Sequence, residues 1–104
     1  MKEYCLVQIN SPSFEEAKKI SEILLEKHLI AGANTILKTP AMYWWKGKIE
    51  EQEYCSIMAY SKKDLKNEII AETRKIHSDE CPAIVFIKID ANEDFIKWIE
   101  EYTK

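Results

Sequence analysis

Between Met42 and Glu53 the sequence reads MYWWKGKIEEQE, and this stretch decides how the chain is assembled. Lys46-Gly47-Lys48 predicts a tight turn, because glycine takes the positive φ that other residues resist. Aromatic residues precede the turn, and residues 53–60 return as a strand after it. The stretch therefore predicts a long β-hairpin, with the two lysines as solvated edge charges that discourage wrong strand pairing.

Upstream of the hairpin, the hydrophobic pattern predicts a strand, a helix and a second strand. In chain order these are a strand over residues 4–9, a break at 10–12, a helix to about His28, a strand over 30–37, and an interruption at Thr39 and Pro40. Ser13 with Glu16 has the spacing of a capping box and predicts the start of the helix. The residues that recur at helical spacing are Phe14, Ala17, Ile20, Leu24 and His28, and His28 is expected to cap the end of the helix.

Downstream of the hairpin, the pattern predicts a helix, a strand and a terminal helix. Ser61 with Asp64 starts the first helix, whose buried stripe is Leu65, Ile69, Thr73 and Ile76. Cys81-Pro82 opens a strand over residues 83–89. Asn92 is the predicted cap of the last helix, whose inward residues are Phe95, Ile96, Ile99 and Tyr102.

The predicted order β-α-β-β-α-β plus a C-terminal helix is the plan of a ferredoxin-like α+β fold with an antiparallel sheet. Residues 1–104 show no linker or repeat, so one domain is expected. In this plan the two main helices cover one face of the sheet. The other face carries Tyr4 and Leu6, and a partner is needed to bury it, which predicts a dimer or trimer.

Composition excludes several classes of protein. The chain has 104 residues, a net charge of -3 and 46% hydrophobic residues, which is typical of a globular protein without a basic nucleic-acid-binding face. No apolar run reaches transmembrane length, and the N-terminus lacks a signal-peptide pattern. Three cysteines, an odd number, are expected as free thiols. These features predict a cytoplasmic protein with no nucleic-acid or membrane partner.

Four ordered segments together resemble the divalent-cation tolerance (CutA) family. They are similar to its Y-x-W-x-G-x-I/V, L-A-A-C-V-N, H-P-Y-E-x-P and Y-L-x-W-I elements, and here read YWWKGKIE at 43–50, LIAGAN at 29–34, HSDECP at 77–82 and FIKWI at 95–99. The resemblance implies a homotrimer in which long hairpins embrace neighbouring subunits, as well as a role in tolerance of divalent cations. It implies copper binding in some members, a fold shared with PII signalling trimers, and ligand sites in clefts between subunits.

The chain departs from the family pattern at residues of the implied pocket. Gly32 and Ile9 stand where cysteines occur in the pattern, and Ala59 aligns with its Lys-Thr-Thr segment. Ser78 and Asp79 replace the Pro-Tyr pair. The scaffold signature is therefore kept while several pocket residues have changed.

His77 is the candidate metal ligand. Imidazole is the commonest metal ligand in proteins, and carboxylates in the same turn could complete a partly open Cu²⁺ or Zn²⁺ site. The alternative interpretation is a histidine at the C-terminus of a helix, favourably placed against the helix dipole. The expected metal, if one binds, is a divalent cation such as copper, held weakly because soft cysteine ligands are missing.

The candidate ligand cleft is drawn from the hairpin, the strand after it and the His77 turn. Its residues are Tyr43, Trp45, Lys46, Tyr60, Asp79 and Glu80. Strand alternation sends Trp44 and Trp45 to opposite faces, so at most one is expected to line a given cleft. No nucleophile with an oriented base is suggested by spacing, which favours a binding protein over an enzyme. The alternatives are a PII-like adaptor trimer that binds a partner protein and no metal, and a small enzyme working in the intersubunit cleft.

Overall fold

The computed structural model describes residues 2–104 as one four-stranded antiparallel sheet with three helices. In chain order its elements are β1 (Tyr4–Ser11), α1 (Phe14–Glu26), β2 (Gly32–Trp45), β3 (Lys48–Lys62), a 3₁₀ turn (Lys63–Leu65), α2 (Lys66–Ile76), β4 (Ile84–Ile89) and α3 (Glu93–Tyr102). The spatial order of the strands is β2-β3-β1-β4. This arrangement confirms the ferredoxin-like α+β fold with a C-terminal helix.

The hydrophobic core lies between the sheet and the helices α1 and α2. Because side chains alternate along a strand, every second residue of β1 points to this side, and Val7 and Ile9 are fully buried there. Ile20 and Leu24 of α1 and Ile69 of α2 are buried against them. The predicted apolar stripes of the two helices therefore form the core, which holds the hairpin in place.

The opposite face of the sheet is only partly covered. The ring of Phe95 in α3 packs edge-on against Tyr60, with 4.8 Å between ring centroids, and Trp98 lies directly over Gly32. The hydroxyl of Tyr4 donates a hydrogen bond of 2.9 Å to Glu100 at the same end. The rest of this face stays open, with exposed apolar side chains at Ile36, Val85 and Ile87.

Two predicted breaks in the strands are wrong. β1 continues through residue 11, because Asn10 and Ser11 pair in register with Ser56 and Cys55 of β3. β2 continues through Thr39 and Pro40, with a register shift between residues 36 and 39. β2 is an edge strand, where the missing N–H of proline can face outward without removing a ladder hydrogen bond.

The predicted starts and ends of helices need correction at several positions. Ser61 is buried in β3, where its hydroxyl donates to the carbonyl of Leu29, so it does not cap α2. Asn92 is the N-cap residue of α3, but its side chain makes no capping hydrogen bond. Two residues predicted to face inward are exposed instead, namely Phe14 and Tyr102. His28 lies beyond the end of α1 at φ 55°, a conformation that ends the helical pattern.

The tip of the hairpin has the expected backbone. Lys46 and Gly47 both have positive φ, at 50° and 81°, between the paired residues Trp45 and Lys48. Two successive positive φ angles define a type I′ turn, whose twist matches that of the flanking strands. The predicted positive φ at Gly47 is confirmed, and the turn fixes which residues of β2 face the body of the protein.

Candidate functional site

A cleft of about 600 Å³ lies between the hairpin and the loop that joins α2 to β4. Residues 41–45, Gln52 and Tyr54 of the hairpin form one wall and residues 78–81 form the other, and Asn10 and Ala83 also line the cleft. The cleft exists because β2 and β3 extend past the rest of the sheet while the loop turns back beside them.

The hairpin wall is largely aromatic. Tyr43, Trp45 and Tyr54 line the cleft, and the Tyr43 and Tyr54 rings lie 6.2 Å apart. The Tyr43 hydroxyl donates a hydrogen bond of 2.9 Å to the side chain of Gln52, which fixes the ring. Burial raises the pKa of Tyr54, and its hydrogen bond with Tyr43 and the nearby charge of Asp79 act in the same direction. Tyr54 is therefore a neutral phenol at physiological pH.

Trp44 and Trp45 behave differently, as strand alternation predicts. Trp45 is half-buried on the cleft side, whereas the side chain of Trp44 is 72% exposed, although some of its atoms also border the cleft. Met42 and Ile49 share the outer face of the hairpin with Trp44 and are 70% and 59% exposed. The hairpin thus presents aromatic residues on both faces.

His77 supports the loop that forms one wall of the cleft, and its side chain is fully buried. Its Nδ1 accepts a hydrogen bond of 3.1 Å from the backbone N–H of Asp79. The proton therefore resides on Nε2, which donates to the carbonyl of Asn10 at 2.6 Å. Both ring nitrogens are engaged by backbone groups, so this geometry fits a residue that fastens the loop to β1.

Glu16 is a second support for the loop. One carboxylate oxygen accepts from the backbone N–H of Ser78 at 3.2 Å, and the other accepts from the Ser11 hydroxyl at 3.0 Å. The Ser13 hydroxyl accepts from the Glu16 backbone N–H at 3.2 Å, which confirms the predicted cap of α1. Only this half of the capping box forms, since the Glu16 carboxylate reaches the loop instead.

The rim of the cleft is acidic. Asp79 and Glu80 project from the loop, and Lys46 at the hairpin tip lies 3.5 Å from the Glu80 carboxylate. The Lys46 ammonium also lies over the ring of Trp45, 5.6 Å from its centroid. These contacts bridge the two walls across the solvent-exposed edge.

Four of the six residues predicted for the cleft line it, and a fifth touches its rim. Tyr43, Trp45, Asp79 and Glu80 are lining residues, and Lys46 reaches the rim. Tyr60 lies elsewhere, packed against α3. Nine other lining residues were not among those predicted, namely Asn10, Ala41, Met42, Trp44, Gln52, Tyr54, Ser78, Cys81 and Ala83. Gln52 and Tyr54 could have been found by extending strand alternation down β3.

A resident copper centre does not fit the donors that one chain provides. Within residues 2–104 no group of three or more histidine, cysteine or acidic side chains is close enough to hold a metal ion. Cys5 is buried, and burial raises the pKa of its thiol to about 11, so it carries no thiolate at neutral pH. Cys55 is also buried and donates to the carbonyl of Leu37. Cys81 is exposed and borders the cleft.

No helix among the described residues is long and apolar enough to cross a bilayer.

Comparison with known proteins gives consistent matches along the chain. The family model described as CutA1 divalent ion tolerance protein matches residues 5–102. The divalent-cation tolerance protein CutA of Pyrococcus horikoshii is 38% identical over 100 residues, covering 95% of this chain and 97% of its own length.

Solved structures agree with these matches. The divalent ion tolerance protein CutA1 from Ehrlichia chaffeensis has a TM-score of 0.90 at 34% identity, covering 100% of this chain and 98% of its own. A protein from Archaeoglobus fulgidus, described as the periplasmic divalent cation tolerance protein CutA, has a TM-score of 0.93 at 31% identity, with 97% and 99% covered.

Proposed function

Because this chain belongs to the CutA1 divalent ion tolerance family, we propose that it acts as a homotrimer in the response to divalent cations and binds its ligand in the cleft. The observation that carries this proposal is the convergence of aromatic side chains and two carboxylates around a space of about 600 Å³. A pocket of this volume, lined by both aromatic and polar side chains, falls in the size range of ligand sites. The ligand is a metal ion or a small molecule, and the role is binding rather than catalysis.

The trimer is supported by apolar side chains that a single chain leaves in water. Met42, Trp44 and Ile49 lie together on the outer face of the hairpin, and Ile36 and Val85 are exposed on the open face of the sheet. Contiguous apolar surface of this kind marks interaction sites. Association of identical chains buries both regions, and closed symmetry is the usual outcome for such oligomers.

A role of His77 as a metal ligand stays a prediction. Metal coordination there would need the ring to give up its hydrogen bond to Asn10 or to Asp79. The geometry favours a structural role that acts on the cleft wall. We also propose a cytoplasmic location, supported by three free thiols.

The alternative function is a PII-like adaptor whose hairpin or cleft contacts a partner protein and binds no metal. The same exposed apolar hairpin face supports it.

Calorimetric titration of the full chain with Cu²⁺ and Zn²⁺ separates these functions. The proposal predicts cation binding that is weakened in Asp79→Asn and Glu80→Gln, because both carboxylates face the cleft. Glu26→Gln, an exposed carboxylate on α1, is the matched control for the change in charge. Absence of heat with either cation in the wild type, together with capture of a protein partner, favours the adaptor.

A further inference from the structure

We infer that the ligand of the cleft is an organic ammonium ion, held by the Trp45 ring and the carboxylates of Asp79 and Glu80. This inference rests on the proposed function, because it takes the cleft as the ligand site and names the chemical class of the ligand.

The charge of the cleft selects cations. Asp79 and Glu80 are the charged residues among those that line it, and both are negative. Lys46 approaches from the hairpin tip without belonging to the walls. A site with this balance attracts positive ligands and repels phosphates and carboxylates.

The side-chain ammonium of Lys46 shows how a cation can contact both Trp45 and Glu80. The Nζ of Lys46 lies 5.6 Å from the centroid of the Trp45 ring and 3.5 Å from the Glu80 carboxylate. An ammonium within about 6 Å of an aromatic face is stabilised by the ring quadrupole. The same pair of groups therefore suits the ammonium of a ligand that enters the cleft.

The size and walls of the cleft suit an organic cation better than a bare metal ion. A volume of about 600 Å³ lies in the range of pockets for organic molecules. The rings of Tyr43, Tyr54 and Trp45 offer apolar surface to a hydrocarbon stem. A metal ion instead needs several converging donors, and residues 2–104 gather no group of three.

The acidic wall is held ready for binding. The backbone N–H group of Ser78 is fixed by the half-buried side chain of Glu16, and that of Asp79 by the buried side chain of His77. A wall that is already ordered loses little conformational entropy when a ligand binds. The carboxylate of Asp79 is therefore presented from a loop with a defined backbone.

The test uses n-butylammonium chloride, which reproduces the end of a lysine side chain, and 1-butanol as its neutral isostere. The full-length protein in its native oligomer is followed by the ¹⁵N indole signal of Trp45 and by calorimetry at constant ionic strength. Butylammonium is expected to shift the Trp45 signal and to bind at least about fivefold more tightly than butanol. Asp79→Asn is expected to weaken butylammonium binding about threefold to tenfold, whereas Glu26→Gln leaves it unchanged.

Removal of the internal ammonium gives an opposite prediction. Lys46→Asn is expected to tighten butylammonium binding about threefold, because Lys46 no longer competes for Glu80 and Trp45. Asparagine is well tolerated at positive φ, and Asn-Gly is a preferred type I′ pair, so the hairpin turn is kept.

Three outcomes would overturn the inference. Equal binding of butylammonium and butanol would show that charge plays no part. A shift of cleft signals by Cu²⁺ or Zn²⁺ but not by butylammonium would refute the ammonium ligand and leave the proposed function standing. No response of the cleft to any of these probes would reject both.

Discussion

At the residue scale, the position of His77 in the chain is compatible with two different roles. The sequence places an imidazole beside carboxylates, a pattern that predicts either a metal ligand or a group at the end of a helix. Only the folded chain shows that Nδ1 accepts from the Asp79 backbone and Nε2 donates to Asn10. The Asn10 partner lies 67 positions away, and local spacing carries no information about it.

His77→Ala should lower the free energy of unfolding by about 1–3 kcal/mol, because buried backbone groups of Asn10 and Asp79 lose their partners. Cu²⁺ affinity should change little. Urea unfolding and Cu²⁺ titration at neutral and mildly acidic pH measure the two effects. Loss of Cu²⁺ binding with unchanged stability would show that His77 is a metal ligand after all.

Glu100 provides a residue-scale prediction for pH. Hydrogen bonds from Lys2 and Tyr4 hold the pKa of the Glu100 carboxyl below its ordinary value of 4.5. The carboxylate therefore stabilises the fold above that value, and this contribution is lost as pH falls through the lowered pKa. Glu100→Gln should be less stable than the wild type at pH 7, and the difference should be smaller at pH 3.

Unfolding at both pH values tests this prediction, with Glu101→Gln, an exposed neighbour on α3, as control. A stability difference that persists unchanged at pH 3 would show that the Glu100 charge is not the cause.

At the element scale, the sequence predicts the number and order of helices and strands well, because alternation and helical spacing report which face is buried. It predicts interruptions poorly. Thr39-Pro40 is compatible with a strand only because β2 lies at the sheet edge. The position of a strand in a sheet follows from the tertiary fold, so no local pattern contains it.

The lining of the cleft was likewise predicted in part from strand alternation, and the rest depends on the tertiary fold. Tyr43 and Trp45 could be assigned to one face of the hairpin from alternation, and both line the cleft. Tyr60 obeys the same alternation but lies under α3, where Phe95 covers it. Which part of a long strand borders the loop depends on how the sheet and helices pack.

Gly47→Val should destabilise the hairpin by about 1–2 kcal/mol, because a β-branched side chain resists the φ of 81°. Lys48→Val, at the adjacent strand position, is the matched control and should be tolerated. Thermal unfolding of both variants checks the prediction. Equal melting temperatures for the two would mean that the turn does not require positive φ at residue 47.

At the scale of the whole molecule, a single chain leaves large apolar side chains exposed to solvent. The hairpin carries Trp44 and Met42 at 72% and 70% exposure, and α3 covers only one end of the open sheet face. A largely exposed tryptophan is unfavourable in a monomer, whereas tryptophan concentrates in interfaces. We therefore propose that the outer face of the hairpin forms the contact between copies of the chain.

Trp44→Glu should dissociate the assembly, because a carboxylate buried in an apolar contact has no partner there. Leu25→Glu is the matched control, since Leu25 is an exposed apolar residue on α1. Sedimentation velocity of both variants reports the outcome. An intact oligomer in Trp44→Glu would remove the hairpin face from the interface.

In the proposed homotrimer, copies of this chain cover the outer face of the hairpin and the open face of the sheet. Size-exclusion chromatography coupled to light scattering tests this assembly most directly at micromolar concentration. A homotrimer has a mass of about 37 kDa, three times the 12.2 kDa of one chain, and this is the expected result. A mass of 12.2 kDa under the same conditions would contradict it.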